Sequence, residues 1–551
     1  MEFVEDKSKE PSSFCTICTK TCKQELVLWV LTLSIHHKDA NVYIMCDSAS
    51  KNEIDNLTPD VNKRLNIKWH VTLDEYSDKT RKQMEDEKIW SDFQMKKAEV
   101  MSLALETEND TLFLDSDIVI LDKINDVNPN MDIGVSPQYI KDENVKEVGY
   151  YNGGMLWTKN KEVPKDWIEF TKTSRYFDQA SIEDLAKKYS KFTFRDNYNL
   201  QTWRFVIGQE DGETIAGYMK PRDGKLYYKN KPLKCIHTHF NVKVFQQINS
   251  LFLLKLQQAK YYKELSCIYR SINNKWIITI PAQPQPGLWN HKNDSYRELA
   301  LLQKKANEDV DVQLNKTSGH CWLVPNVILY DRPNMTWVNN QFHQAGLVLT
   351  GNMDSEVEGK ELRGKGINMK PWIFWPRRPY VVEMHLKDNE IKKYYDRDID
   401  SIFVGNIENK IQGKYRETED DWDKALDVYH CTQGKKHKFT QEQYLDMMCR
   451  SKYGLCLRGF GKKCHREVEC MALGTVPIIT DDVCIDSYIN PPKEGVHFIR
   501  AHDTEDMKRK LSGISPVRWE KMSNACVEWY KENVHSENSW KTTIEYILYD
   551  N

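Results

Sequence analysis

The stretch TLFLDSDIVIL, Thr111 to Leu121, places two carboxylates one residue apart between two apolar runs. Four residues of β-prone character ending in acids read as a strand that reaches a polar rim, and the second run reads as the start of another strand. In extended chain, residues i and i+2 share a side, so Asp115 and Asp117 can face one cation. Hard divalent ions take oxygen ligands, and Mg²⁺ or Mn²⁺ held by one or two carboxylates plus substrate phosphates is the usual arrangement for diphosphate chemistry. The same spacing recurs at Asp309/Asp311, Asp396/Asp398, Asp398/Asp400 and Asp421/Asp423, but those pairs stand in charged, polar runs and read as solvated surface. Placement between apolar strands is what singles out Asp115 and Asp117.

Outward from this stretch, strand-like and helix-like segments alternate: FCTIC, ELVLWVLTLSIHH, NVYIMCD, NIKWHVTL and a helical MKKAEVMSLALE precede it. Such alternation argues for an α/β sheet with parallel strands. A helical stretch near Lys255 to Tyr269 closes this unit, and ITIPAQPQPG, Ile278 to Gly287, is the most proline-rich segment and the best linker candidate. A second alternation follows, with CWLVPNVILY, AGLVLTG, WIFWPRRPYVVEMHL and SIFVGNI, and then YGLCLRGFG, HREVECMALG and TVPIIT. The expected division is an N-terminal α/β domain over 1–255, a helix and linker over 256–290, and two smaller α/β units over 291–395 and 396–551.

With 551 residues the chain exceeds the size at which one core keeps growing, so more than one domain is expected. Basic and acidic residues number 78 and 81, a net charge of −3 that argues against a nucleic-acid footprint built on bulk positive charge. There is no run of eighteen apolar residues, and MEFVEDKSKEPSS is acidic where a secretory leader would be basic and then apolar. The expectation is a soluble cytoplasmic protein without a transmembrane segment. Fourteen cysteines are sparse for this length and lack paired zinc-site spacing, so reduced thiols are expected.

Four motifs in order, over roughly Phe14 to Phe245, make the first half resemble nucleotide-sugar glycosyltransferases of the GT-A fold, particularly the glycogenin and lipopolysaccharide galactosyltransferase group. They are the DSD itself, YYNGGMLW (Tyr150 to Trp157), YFDQAS with a later Asn199, and CIHTHFNVKVF (Cys235 to Phe245). The resemblance implies that Asn152, Gly153 and Gly154 contact the donor sugar and that Asp178 and Gln179 lie beside the reacting carbon. It implies a metal held by Asp115, Asp117 and a histidine, and a Lys that reaches the donor diphosphate six residues after that histidine. His237 and Lys243 have this spacing; His239 shares a face with His237 and is the alternate. An imidazole beside two carboxylates suits Mn²⁺ better than Mg²⁺. Thr19, Lys20 and Asp47, at the ends of the first two strands, are expected to line the nucleotide pocket, with a UDP-sugar favoured over a GDP-sugar. Where the family has Pro-Trp after the Lys, this chain has Val244-Phe245, which puts the clamp over the diphosphate in doubt.

In the second half, SKYGLCLRGFGKKCHREVECMALGTVPIITDD (Ser451 to Asp482) reads as strand, glycine-rich loop, helix and strand. Glycines at a helix start allow close backbone approach, where free N–H groups favour an anion. Arg458, Lys462, Lys463 and Arg466 add positive charge. The segment resembles the nucleotide-binding half of GT-B glycosyltransferases, most nearly the exostosin family. That resemblance implies that Glu469 binds the donor ribose five residues before Gly474, that Arg466 or Arg458 touches the diphosphate, and that no metal is needed. Gly405, Lys414 and Arg416 are weaker candidates, and Glu383 and His385 are candidates for the base of an acceptor half.

The expected fold class is therefore α/β throughout: a single Rossmann-like mixed sheet of GT-A type, then a GT-B-like pair of Rossmann-like units. The expected function is bifunctional, a metal-dependent sugar transfer to a glycan or glycoprotein acceptor and a metal-independent second transfer. In architecture this resembles multi-domain glycosyltransferases of large algal DNA viruses, for which the location would be host cytoplasm. The alternatives are one active GT-A domain beside a non-catalytic sugar-binding region, or a phosphatase of the haloacid-dehalogenase type, which also places Asp-x-Asp after an apolar strand.

Overall fold

The computed structural model describes residues 9–56, 60–240, 242–273, 275–281, 310–315, 327–330, 347–350, 369–371 and 376–549, apart from 408–409, 418–420, 434–438, 460 and 487. The chain divides into two compact units, Met1–Asn274 and Lys275–Asn551. The expected linker at 256–290 falls partly outside the described residues. Its described part carries the helix Tyr262–Asn273 within the first unit and the strand Trp276–Pro281 within the second.

The first unit is built on a mixed seven-stranded sheet. Its strands are β1 (Ser13–Cys18), β2 (Asn41–Cys46), β3 (Asn66–Val71), β4 (Thr111–Leu114), β6 (Ile133–Pro137), β7 (Tyr151–Thr158) and β8 (Lys191–Thr193), in the order β3-β2-β1-β4-β7-β6-β8. β3, β2, β1 and β4 run parallel, and β7 runs antiparallel to both β4 and β6. The crossover from β1 to β2 is the helix Lys23–His36, whose residues Leu26 to Ser34 are all buried. A helix apolar on every side is one enclosed by protein, here between β5 (Ile118–Ile120) and the helix Tyr262–Asn273.

β5 leaves the main sheet and joins a three-stranded one with β9 (Leu200–Gln201) and β13 (Cys235–His237). β13 is antiparallel to β5, with His237 opposite Ile118, and parallel to β9, with His237 opposite Gln201. Between these strands lies the meander β10 (Met219–Arg222), β11 (Lys225–Tyr228) and β12 (Lys231–Pro232).

The second unit carries two all-parallel five-stranded sheets. One holds β14 (Trp276–Pro281), β15 (Val310–Asn315), β16 (Val327–Tyr330), β17 (Leu347–Thr350) and β18 (Met369–Pro371), in the order β15-β14-β16-β17-β18. The other holds β19 (Ile399–Ile407), β20 (Val428–Gln433), β21 (Ser451–Cys456), β22 (Val476–Ile479) and β23 (Ile499–Arg500), in the order β20-β19-β21-β22-β23. Each follows the 2-1-3-4-5 order of a doubly wound sheet, in which ligands bind beyond the strand carboxyl ends where the order reverses. The α/β class expected for both halves is what the chain adopts. Among the described residues every cysteine is free, most of them buried, and no helix is long and apolar enough to cross a membrane.

Candidate metal and donor site

Asp115 to Asp117 do not continue the strand. Asp115 N–H donates to Gly154 O at 2.9 Å, the last rung of β4 on β7, and Ile118 N–H then donates back to Asp115 O at 3.1 Å. The expected extended chain is a tight turn because β4 and β5 belong to different sheets and the acids lie at the crossing. Thr238 N–H donates to Asp117 O at 3.1 Å, which continues the β5–β13 ladder and draws His237 to the acids.

The four sequence candidates for metal ligation come together. His237 Nε2 lies 2.9 Å from Asp117 Oδ1 and 4.0 Å from Asp115 Oδ2, and His239 Nδ1 lies 2.9 Å from Asp117 Oδ2. Burial opposes ionisation of Asp117, but the two imidazoles outweigh it and hold its carboxyl well below the usual range. Asp115 goes the other way: burial pushes its carboxyl up, against the pull of Lys97. His237 Nδ1 is 3.1 Å from Asn199 Oδ1, while Asn199 Nδ2 donates to Ser136 Oγ and Asn152 Oδ1. With its amide nitrogen committed, Asn199 accepts through Oδ1. The proton Asn199 accepts therefore sits on His237 Nδ1, and Nε2 is the nitrogen that faces the acids.

Three observations fit a divalent ion here. Ligand atoms about 2.1 Å from an octahedral ion stand about 3.0 Å apart on neighbouring corners and about 4.2 Å on opposite ones; the distances above have these values. Asp117 Oδ1 is buried yet accepts no hydrogen bond despite the nitrogen 2.9 Å away. Finally, a Cβ on Gly154 would lie 2.5 Å from Asp115 Oδ2 and 2.6 Å from His237 Cε1, so only glycine leaves the space between them open.

Behind the acids, the helix Trp90–Thr107 places Lys97 on its buried face. Its Nζ bridges Asp115 Oδ1 and Asp178 Oδ2, each at 3.0 Å, and approaches Gly153 O at 3.4 Å. Burial alone would lower its pKa, but the two carboxylates more than compensate and raise it. Asp178, in the first turn of the helix Phe177–Lys188, is thus committed to an ion pair and stands against Gly153. Gln179 Oε1 receives Asn152 Nδ2 at 3.3 Å, and Gln201 Oε1 receives the same nitrogen at 3.2 Å.

Sequence reasoning missed Lys97 and Gln201. For Lys97 a signal existed: it continues the spacing of Phe93, Met101 and Ala104 along the apolar stripe, where a charge requires a partner. Gln201 carried none.

The nucleotide-pocket candidates are placed differently. Asp47 is fully buried and caps the helix Ser48–Asp55 through Ser50 N–H at 2.8 Å, while also accepting Lys20 N–H at 2.7 Å and Ser77 Oγ. It fastens the β1 loop to β2 and has little capacity left for a base. Thr19 is buried and contacts Thr21, whereas the Lys20 ammonium pairs with Asp78 at 2.7 Å. Lys243 is exposed in a short 3₁₀ turn after His239.

In the second unit, Arg416, Arg458 and Arg466 gather beyond the carboxyl ends of β19 and β21, the switch point of that sheet. Arg416 donates to Asn406 O and to Arg458 O, the latter at 3.1 Å, and burial beside Arg466 lowers its pKa. Arg466 is buried against Phe403 and donates to Val404 O through Nη2; its Nε and Nη1, and Arg458 Nε, are buried without a hydrogen-bond partner. A cleft lined by Val404, Gly405, Tyr429, His430 and Phe439 opens beside them. Glu469 is not free in it: its oxygens accept Arg377 N–H at 2.9 Å and Tyr444 OH at 2.8 Å. Gly474, at φ +66°, turns the chain out of the helix His465–Ala472. Glu383 accepts from Ser536, and His385 contacts Cys449.

No protein-family model and no curated protein matches the chain. Among solved structures, it is similar to the galactosyltransferase LgtC in complex with donor and acceptor sugar analogues, at 14% identity and TM-score 0.29 over 41% of this chain and 86% of that one. It is also similar to the glycosyltransferase GlyE of Streptococcus pneumoniae TIGR4, at 13% and 0.30 over 66% and 91%, and to mouse xyloside xylosyltransferase 1, at 14% and 0.28 over 42% and 98%. At such identities and scores the function rests on the geometry of the site.

Proposed function

We propose that the first unit transfers a sugar from a nucleoside-diphosphate donor to a glycan or glycoprotein acceptor, with Mn²⁺ or Mg²⁺ held by Asp115, Asp117 and His237. The observation that carries this reading is the convergence of those three side chains at the rim of a mixed sheet, with Asn152, Asp178 and Gln179 in one contact network with them. An ion held by these residues would supply positive charge to a leaving diphosphate. Asn199 fixes the His237 ring with Nε2 toward the acids. Lys97 supplies the counter-charge that lets Asp115 and Asp178 lie close together. Asn152, held by Gln179, Gln201 and Asn199, is a rigid amide for the donor sugar. Asp178 and Gln179 would lie beside that sugar whether the transfer retains or inverts configuration. A UDP-sugar is the favoured donor, with GDP-sugars second.

For the second unit we propose a metal-independent donor site in its C-terminal part, 396–551, with 291–395 as the acceptor half. The support is the arginine cluster at the β19/β21 switch point, whose buried, unpaired nitrogens suit an anion. Glu469, proposed for the donor ribose, is held in place by Tyr444 OH and the backbone N–H of Arg377.

Hydrolysis of a nucleotide-sugar panel by the full chain, with Mn²⁺ and then with chelator, tests both. Metal-dependent turnover should vanish in Asp115→Ala and Asp117→Ala; persistence in either refutes the first site. Donor affinity that survives chelation should fall in Arg466→Gln, and unchanged affinity refutes the second.

A further inference from the structure

The resemblance that motivates the first site implies one imidazole on the metal, whereas this chain brings two. His237 ends β13 and His239 follows two residues later, just past Thr238, whose N–H donates to Asp117 O, and both rings meet the Asp117 carboxylate. Their nitrogens approach different oxygens of Asp117, Nε2 of His237 at 2.9 Å from Oδ1 and Nδ1 of His239 at 2.9 Å from Oδ2. One ligand atom from each of Asp117, His237 and His239 lies within 4.8 Å of the others, inside the span of a single coordination sphere, and Asp115 Oδ2 adjoins this group 4.0 Å from His237 Nε2. The His239 ring does not swing freely. It stacks on buried Phe245 with centroids 5.3 Å apart, Phe245 is backed edge-on by Trp203, and Asn249 Nδ2 donates to His239 O at 2.9 Å. Phe245 stands where the resembled family has an aromatic after Lys-Pro; here it is stacked under an imidazole.

We infer that His239 joins His237, Asp115 and Asp117 as a ligand to the same ion, giving a two-imidazole, two-carboxylate site selective for Mn²⁺ and other borderline ions over Mg²⁺. The inference rests on the metal site proposed above. Its chemical basis is that imidazole nitrogen binds borderline first-row ions readily and Mg²⁺ reluctantly, so each nitrogen added widens the gap.

The test is Mn²⁺ binding to the full chain followed by electron spin-echo envelope modulation, which counts coordinated imidazoles without turnover. Wild type should show two and His239→Gln one, with Mn²⁺ affinity reduced by at least about tenfold, the lower end of the loss seen when ligand support is removed, and Mg²⁺ affinity reduced less. Circular dichroism melting of His239→Gln verifies that it folds, and Phe245→Leu, which frees the ring without deleting the ligand, should lower Mn²⁺ affinity to a smaller extent. A single imidazole in wild type, unchanged in His239→Gln, overturns this inference and leaves the metal site standing. Absence of stoichiometric Mn²⁺ binding by wild type overturns both.

Discussion

Replacing Lys97 by Met keeps the unbranched stem and removes only the ammonium that bridges Asp115 and Asp178 at 3.0 Å each. The lysine side chain is 7% exposed, and those of its partners 24% and 10%, so water cannot take over its role. Breaking a buried ion pair by removing one partner costs about 3–5 kcal/mol, because the remaining charge is left uncompensated. For a unit of this size each kcal/mol moves the midpoint by about 2–4 °C, so the metal-free variant should melt about 6–20 °C below wild type. The loss should depend on pH in a defined direction. Burial already raises the Asp115 carboxyl and Lys97 opposes that rise; without Lys97 it climbs further. A carboxyl whose folded pKa exceeds its unfolded one binds the extra proton in the folded state, so its destabilising effect grows as pH rises and shrinks from pH 7 to pH 5. Mn²⁺ should restore more stability to the variant than to wild type, since a dication replaces the missing positive charge. The assay is thermal melting in chelator at both pH values, then with Mn²⁺. A deficit below about 1 kcal/mol, or one of the same size at pH 5, refutes the bridging role.

Gly154→Ala should fold yet lose Mn²⁺ affinity by about 10–100-fold, as far as a disturbed ligand shell commonly costs, because its Cβ enters the space between Asp115 and His237; titration calorimetry checks it. Asn199 holds His237 from φ +48°, so Asn199→Gly and Asn199→Ala should lose metal affinity alike, while the alanine also loses about 1–2 kcal/mol of stability to left-handed backbone strain. In the second unit, burial raises Glu467 to about 7 and lowers Lys463 to about 7. Stability should therefore fall as pH rises from the ordinary carboxylate range toward 7, and recover as pH rises further toward the ordinary lysine range. Urea melts across pH should show this minimum, with Glu467→Gln flattening the acid limb and Lys463→Met the alkaline one.

The α/β class and the acids at a strand end were legible in the sequence because they depend on local pattern: apolar runs of strand length, alternating helices, and charge at their rims. The order in which DSD, Asn-Gly-Gly, Asp-Gln and His follow one another was legible for the same reason. What required tertiary structure was everything set by pairing between distant strands. The antiparallel register of β13 on β5 alone brings His237 beside Asp117, the β4–β5 turn aims the two acids, and the packing of one helix over the sheet delivers Lys97 to Asp115 and Asp178. Asp47 and Glu469 illustrate the converse. Each stands where a ligand contact was expected, and each also accepts from backbone or hydroxyl donors that only folding brings near. Residue type and spacing state what a side chain can bind; burial and competing partners, fixed by the fold, decide what it does bind.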